Sequence, residues 1–223
     1  MKLTNAKQQL IIEIKEGRVP VLAIENADVF LEFTEDIYRQ SLGEDGDIVL
    51  SEEDRILTFS KTAVMVSDYF CLDLNQRKIQ NILYKNMQTA AFEFSAEKDK
   101  ITIQGIDLLD KIIGNLNFDH IAYDLELDWN DIFKLFHVRI EEDYISLTEK
   151  VISFMRLCSQ LLKIRLLILV GLKSYISDEQ LLHIYKMADY LKIDLLLIEP
   201  VERQALKNED YYIIDRDKCL IIK

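Results

Sequence analysis

The stretch RLLILVGLKSYISDEQLLHIYKMADYLKIDLLLIEP, residues 165–200, decides the fold of this chain. It opens and closes with continuous apolar runs, residues 166–170 and 195–198, which are typical of strands covered on both faces. Between them Ser177 and Gln180 form a capping box, and apolar residues then recur at helical spacing. A strand, a crossover helix and a second strand predict a right-handed βαβ unit in a buried parallel sheet.

Further strands are predicted on both sides of this unit. Residues 9–15 and 19–24 are β-rich runs separated by Gly17, which predicts a hairpin or two adjacent strands. Residues 28–40 show helical spacing, and residues 211–222 are typical of a terminal hairpin.

Helical patterns dominate the middle of the chain, with helices predicted at about residues 75–94 and 106–116. Another helix begins at the capping box of Ser146 and Glu149. We therefore predict an α/β fold with two parts. They are a head domain with a mostly parallel sheet, residues 1–71 and 163–223, and a helix-rich leg subdomain, residues 72–162.

The composition is that of an ordinary globular protein, with 49% hydrophobic and 30% charged residues. Without a signal peptide or a run of about 18 apolar residues, no membrane span is expected. The three cysteines are scattered and form no CxxC motif, so reduced thiols and a cytoplasmic location are predicted. A net charge of −12 argues against a uniformly basic nucleic-acid binder, but not against a local basic strip.

Motifs for catalysis are missing from the sequence. Neither G-x-x-x-x-G-K-[ST] nor G-x-G-x-x-G occurs, and the pair Lys173-Ser174 only weakly resembles a phosphate loop. We interpret Lys173 as part of a solvent-exposed turn. The three histidines are isolated, and there is no G-x-S-x-G elbow. The sequence thus favours a protein that is not an enzyme.

An acidic segment contains the strongest candidate for a metal site. In an extended strand, the alternation of carboxylates and leucines would put three carboxylates on one face, with a fourth close behind. Oxygen ligands without Cys or His suit Ca²⁺ or Mg²⁺. The alternative is the solvated face of an amphipathic strand. The candidate ligands are Asp124, Glu126, Asp128 and Asp131.

Basic residues in the same middle section are candidates for DNA contacts. Binding to the DNA backbone needs only lysines and arginines at phosphate spacing, and a symmetric oligomer could gather several small patches. The alternative is an ordinary solvated surface. The candidates are Arg77, Lys78, Lys85, Lys134 and Arg139.

The order of several segments resembles the type II-A CRISPR-associated spacer-acquisition proteins, the Csn-two family. The match is strongest over residues 163–200, KIRLLILVGLKSYISDEQLLHIYKMADYLKIDLLLIEP. Four shorter segments are similar to the family in the same order. They are PVLAIENADVFLEFTEDIYRQ (20–40), LDLNQRKIQNILYKNMQ (72–88), YDLELD (123–128) and EDYYII (209–214).

The resemblance implies a P-loop-NTPase-like head that lacks the phosphate loop, together with a helical leg. It also implies a homotetrameric ring that binds ends of double-stranded DNA, contains calcium ions and has no catalytic activity. Implied partners are the CRISPR adaptation integrase proteins and the effector nuclease. Because the acidic segment coincides with the family's own, the resemblance favours the cation interpretation.

Two other function classes stay open. The acidic segment could serve a metal-dependent nuclease with two Mg²⁺ ions, or the fold could be a degenerate nucleotide hydrolase. The chain could also be a structural subunit whose acidic surface engages protein partners.

Overall fold

The computed structural model describes residues 1–53, 55–118 and 120–223. The strands are β1 (Lys2–Asn5), β2 (Leu10–Glu13), β3 (Val19–Ile24), β4 (Ile48–Glu52), β5 (Arg55–Leu57), β6 (Ala63–Val66), β7 (Leu166–Val170), β8 (Asp194–Glu199), β9 (Glu209–Ile214) and β10 (Leu220–Ile222). The helices are α1 (Ala27–Ser41), α2 (Phe59–Thr62), α3 (Arg77–Ala90), α4 (Ser95–Ile113), α5 (Trp129–Leu135), α6 (Leu147–Arg156) and α7 (Asp178–Leu191). A π-helical segment, Leu157–Leu162, continues α6.

The chain divides into two compact units. The larger consists of Met1–Asp73 and Glu142–Lys223, and the smaller of Leu74–Glu141. The second segment of the larger unit therefore begins at Glu142, whereas the predicted head resumed at residue 163. The difference arises because α6 packs against α7, and the hydroxyl of Ser159 donates to the carbonyl of Leu191 (2.8 Å).

A six-stranded sheet in the order β10-β9-β3-β8-β7-β6 is the core of the larger unit. All its neighbouring strands are parallel except β10, which runs antiparallel to β9. In the pairing of β7 with β8, Leu167 lies opposite Leu195, and both are buried, as fully covered strands require. The predicted βαβ unit is confirmed, as are the mostly parallel sheet and the terminal hairpin.

A second, antiparallel sheet of the same unit has the order β2-β1-β4-β5. It buries Leu3, Ile12 and Leu50 against the larger sheet's core. Residues 9–15 and 19–24 contain the two predicted strands, but the hairpin alternative is wrong, because β2 pairs with β1 while β3 pairs with β8 and β9. The turn at Gly17, with φ of +71°, carries the chain from one sheet to the other.

The smaller unit is helical. Helix α3 packs against α5, where the ring of Tyr84 meets that of Phe133 edge-on with centroids 5.4 Å apart. Helix α4 begins at Ser95, well before the predicted start at residue 106, and none of its 19 residues is buried.

Candidate nucleic-acid interface

Helix α3 carries a basic face. Its inner side is fixed by buried Ile79 and by the Tyr84 hydroxyl, which donates to the carbonyl of Val138 (3.1 Å). Lys78 and Lys85 are seven residues apart, so they lie within about 20° of each other around the helix and about 10 Å apart along it. Arg77 lies on the adjoining part of the same solvent-exposed side.

The charge of α3 contrasts with the rest of the chain. The helix has three basic residues and no acidic one over 14 residues, while the whole chain has a net charge of −12. In the described part of the chain, no carboxylate lies within ion-pair distance of Arg77, Lys78 or Lys85. Their charges are therefore directed to solvent, where a polyanion can reach them.

The other two predicted cations, Lys134 and Arg139, are also exposed but are placed differently. The ammonium of Lys134 lies 3.4 Å from a carboxylate oxygen of Asp131, one turn earlier on α5, so its charge is partly balanced. Arg139 adjoins Ile140, whose main chain exchanges two hydrogen bonds with the side chain of Asn75 (2.8 and 2.9 Å). Because α3 begins two residues after Asn75, Arg139 extends the basic region at the first turn of that helix.

The acidic segment does not form the predicted strand, since residues 120–128 contain no β-structure. Asp128 instead precedes α5, and its N–H donates to the carboxylate of Asp131 (3.3 Å). Glu126, Asp128 and Asp131 line one open depression of about 530 Å³ together with Asp99, whereas Asp124 is not part of that lining.

These carboxylates are not arranged as a ready-made metal cage. Across residues 1–53, 55–118 and 120–223, no group of three or more His, Cys, Asp or Glu side chains is positioned to hold a metal ion. Both oxygens of Asp131 already have partners, the N–H of Asp128 and the ammonium of Lys134. The period-two argument for the cluster therefore fails, because the segment is not a strand. The metal-ligand role of the four carboxylates stays a prediction.

Comparison with known proteins assigns the chain to a family. The family model described as CRISPR-associated protein (Cas_Csn2) matches residues 40–218 of the 223. The chain belongs to the Csn2 family. The CRISPR-associated protein Csn2 of Streptococcus agalactiae is 22% identical over 206 residues, which cover 90% of this chain and 89% of that protein. The resemblance drawn from the ordered segments is confirmed.

The crystal structure of Stu0660 of Streptococcus thermophilus has a similar fold. It aligns with a TM-score of 0.59 at 14% identity, over 96% of this chain and 75% of that one. Among the described residues, no helix has the length and apolar character needed to cross a membrane.

This member of the Csn2 family also has a buried polar cluster that the sequence did not reveal. The interpretation of Lys173 as part of an exposed turn is wrong, because its side chain is only 5% exposed. Its ammonium lies 2.7 Å from the carboxylate of Glu209 and 2.8 Å from the hydroxyl of Tyr211. Glu209 accepts a further hydrogen bond from the hydroxyl of Tyr185 (2.5 Å). The one sequence signal for this cluster was a lysine three residues after the end of a buried strand.

Glu199 lies next to this cluster at the end of β8 and is fully buried. One carboxylate oxygen accepts from the N–H of Lys173 (3.0 Å), while the other has no hydrogen-bond partner among the described atoms. Burial raises the pKa of the Glu199 carboxyl, and the charges of Arg203 and Lys173 only partly oppose that shift.

Proposed function

We propose that this chain binds double-stranded DNA, preferably at its ends, through sequence-independent phosphate contacts and without catalysis. It would do so as a homotetrameric ring that serves spacer acquisition in CRISPR adaptation. The observation that carries the proposal is the basic face of α3 in a chain that is otherwise strongly acidic. Membership of the Csn2 family supplies the CRISPR context.

The spacing on α3 suits a phosphate backbone. Lys78 and Lys85 are about 10 Å apart along the helix, which corresponds to roughly three nucleotide steps of 3.4 Å on one strand. Neither residue has a carboxylate partner among the described residues, so no intramolecular ion pair must break before DNA binds. Contacts of this kind position a duplex but do not read its sequence.

Helix α4 supports self-association. Apolar side chains recur along its length, yet all its residues remain at least partly exposed. Ile101 is 40% exposed, Leu108 58% and Ile112 50%, and their spacing of seven and four residues puts them on one stripe. Covering such a stripe with a second copy would remove its apolar surface from water.

Calcium is proposed as a support for this assembly. Glu126, Asp128 and Asp131 surround one depression, and carboxylate oxygens are the ligands that Ca²⁺ prefers. Asp124 would have to be brought in by movement of its segment or be contributed across an interface. The proposal therefore expects the cation to bind as copies assemble.

The head is proposed to be a P-loop-NTPase-like core that lacks the phosphate loop. The turn after β3 reads Glu-Asn-Ala-Asp, and Asn26 caps α1 by accepting from the N–H of Val29 (3.2 Å). The proposed protein partners are the adaptation integrase proteins and the effector nuclease, which the family membership supports.

The test is duplex binding at several salt concentrations. Replacing Lys78→Gln and Lys85→Gln together should lower the magnitude of the slope of log K against log salt by about 0.9 per lost contact, or about 1.8 for each copy whose α3 contacts the DNA. At 0.1 M salt the same relation gives roughly a 60-fold loss of affinity for each such copy. A matched control is Lys61→Gln with Lys186→Gln, two exposed lysines on helices of the larger unit, which should change neither quantity.

Several outcomes would contradict the proposal. Linear duplex DNA that stays unbound at low salt, with and without calcium, would remove it. Cleavage of the DNA in the presence of Mg²⁺ or Mn²⁺ would favour the nuclease instead. Equal binding of linear and closed-circular DNA would argue against a ring that threads free ends, and a persistent monomer in light scattering, with or without chelator, would exclude one.

A further inference from the structure

Two aromatic side chains of the larger unit form an exposed pair. Phe70 is 71% exposed and Tyr175 is 52% exposed, and their rings meet edge-to-face with centroids 5.7 Å apart. Beneath them the buried ring of Tyr69 contacts Tyr175, also at 5.7 Å. The pair therefore rests on the protein core but leaves much ring surface in water.

The backbone around the pair is firmly held. The N–H groups of Phe70 and Cys71 both donate to the carboxylate of Asp68 (3.0 Å each), which closes a tight turn. The hydroxyl of Tyr69 donates to the carbonyl of Val170 at the end of β7 (3.0 Å). Because the turn is already ordered, a ligand that stacks on Phe70 would not incur the conformational entropy cost of ordering a loop.

The pair lies at the carboxyl edge of the larger sheet. Residues 67–71 follow β6, and Tyr175 follows the short 3₁₀ segment after β7. Because β6 and β7 are parallel neighbours, their carboxyl ends meet at one edge of the sheet. Both rings therefore stand at the same edge of the sheet.

Two cations flank the pair. The ammonium of Lys150 donates to the carbonyl of Phe70 (2.9 Å), and the guanidinium of Arg203 donates to the hydroxyl of Ser174, next to Tyr175 (3.0 Å). Within the described ranges, neither cation has a carboxylate at ion-pair distance. One oxygen of the Asp68 carboxylate, Oδ1, accepts both backbone N–H groups of the turn, and the nearby charge of Lys150 helps to lower the pKa of that carboxyl.

Exposed rings beside unpaired cations are the combination that binds single-stranded nucleic acid. We propose that Phe70 and Tyr175 stack on unpaired bases at a single-stranded DNA end, while Lys150 and Arg203 contact the adjoining phosphates. The inference rests on the proposed duplex binding and adds to it a preference for ends with an overhang. Since every base has a flat aromatic face, the preference should not depend on the overhang sequence.

The experiment compares a blunt duplex with the same duplex carrying a three-nucleotide overhang, using the full chain and fluorescence anisotropy. The wild type should bind the overhang duplex about tenfold more tightly, the order expected for stacking of one base. Phe70→Ala with Tyr175→Ala should abolish that gain and leave affinity for the blunt duplex unchanged. A 2-aminopurine base in the overhang should be quenched by the wild type and not by this variant.

Two control variants separate stacking from a general loss of structure. Phe70→Tyr with Tyr175→Phe keeps both rings, so the overhang gain and the quenching should persist. Tyr190→Ala removes another exposed aromatic ring, 79% exposed on α7, and should change nothing.

Each contrary result has a distinct meaning. If the wild type binds blunt and overhang duplexes equally, this inference is wrong while the proposed duplex binding stands. If neither duplex is bound, both are wrong. If the alanine variant keeps the overhang gain but no longer self-associates, a second copy covers the pair and the inference is overturned.

Discussion

Replacing Lys173→Met tests the buried ion pair most directly. The side chains of Lys173 and Glu209 are 5% and 0% exposed, so water screens their interaction very little. The substitution leaves the Glu209 carboxylate buried with only neutral donors, the hydroxyl of Tyr185 and the N–H of Leu206. Breaking such a pair by removing one partner costs about 3–5 kcal/mol, because an uncompensated charge remains buried.

The assay is urea unfolding followed by far-UV circular dichroism. With a slope of about 2 kcal/mol per molar urea, a loss of 4 kcal/mol lowers the midpoint by about 2 M. That is a large part of the 5–15 kcal/mol expected for a folded domain. The matched control is Lys15→Met, which removes the exposed pair of Lys15 with Glu13 (2.7 Å) and should leave the urea midpoint nearly unchanged, because solvent screens that pair.

A double substitution sharpens the test. Glu209→Gln alone leaves the Lys173 ammonium buried beside the hydroxyl of Tyr211, so it should also be costly. Lys173→Met combined with Glu209→Gln leaves neither member of the pair charged and should cost much less than the sum of the two single changes. The pair would not stabilise the fold if either single variant lost less than about 1 kcal/mol of unfolding free energy. The same conclusion would follow if the losses of the two single variants added up in the double variant.

Two further predictions concern buried titratable groups. Burial raises the pKa of the Glu199 carboxyl, so the native state binds the carboxyl proton more tightly than the unfolded chain does. As the pH rises above about 4.5, the ordinary pKa of a glutamate, this carboxyl therefore lowers the free energy of unfolding. Glu199→Gln should therefore have a higher free energy of unfolding than the wild type at pH 7. Urea titrations should show that this difference shrinks toward pH 4.5. A difference that grows on acidification would contradict the prediction. Burial also raises the pKa of the Cys158 thiol to about 12, so Ellman's reagent should titrate only Cys71 and Cys219 in the native protein and all three thiols after unfolding. Three thiols reacting rapidly in the native protein would refute that assignment.

The βαβ part of the larger sheet was predictable because its apolar runs and its helix cap indicate the same structure. The runs at residues 166–170 and 195–198 are apolar on both faces, and the Ser177–Gln180 capping box marks the crossover helix, so the βαβ unit follows from the residues alone. The pairing of residues 9–15 could not be read in the same way. A β-rich run shows that a strand forms but not which strand it joins, and here the turn at Gly17 separates two sheets instead of closing a hairpin.

The candidate site was predicted only in part, because its signals are weak. The basic residues of α3 share one face since helical spacing is regular, and that much is visible in the sequence. The acidic segment was misread, since alternation of period two indicates a strand only where one face is buried. Asp124, Glu126 and Asp128 are exposed, so no burial enforces that conformation. Lys173 was missed because its partner, Glu209, is 36 residues away.

The net charge of −12 does not decide whether the chain can bind DNA, because charge acts locally in salt. At physiological ionic strength the screening length is about 8 Å, while α3 with its 14 residues is about 21 Å long. Carboxylates well beyond one screening length from Lys78 and Lys85 therefore subtract little from the field at that face. The remote charge instead opposes the approach of DNA to surfaces that carry no local basic group. An acidic chain with a local uncompensated basic face would thus admit a polyanion at that face, whereas a uniformly basic chain would bind it everywhere.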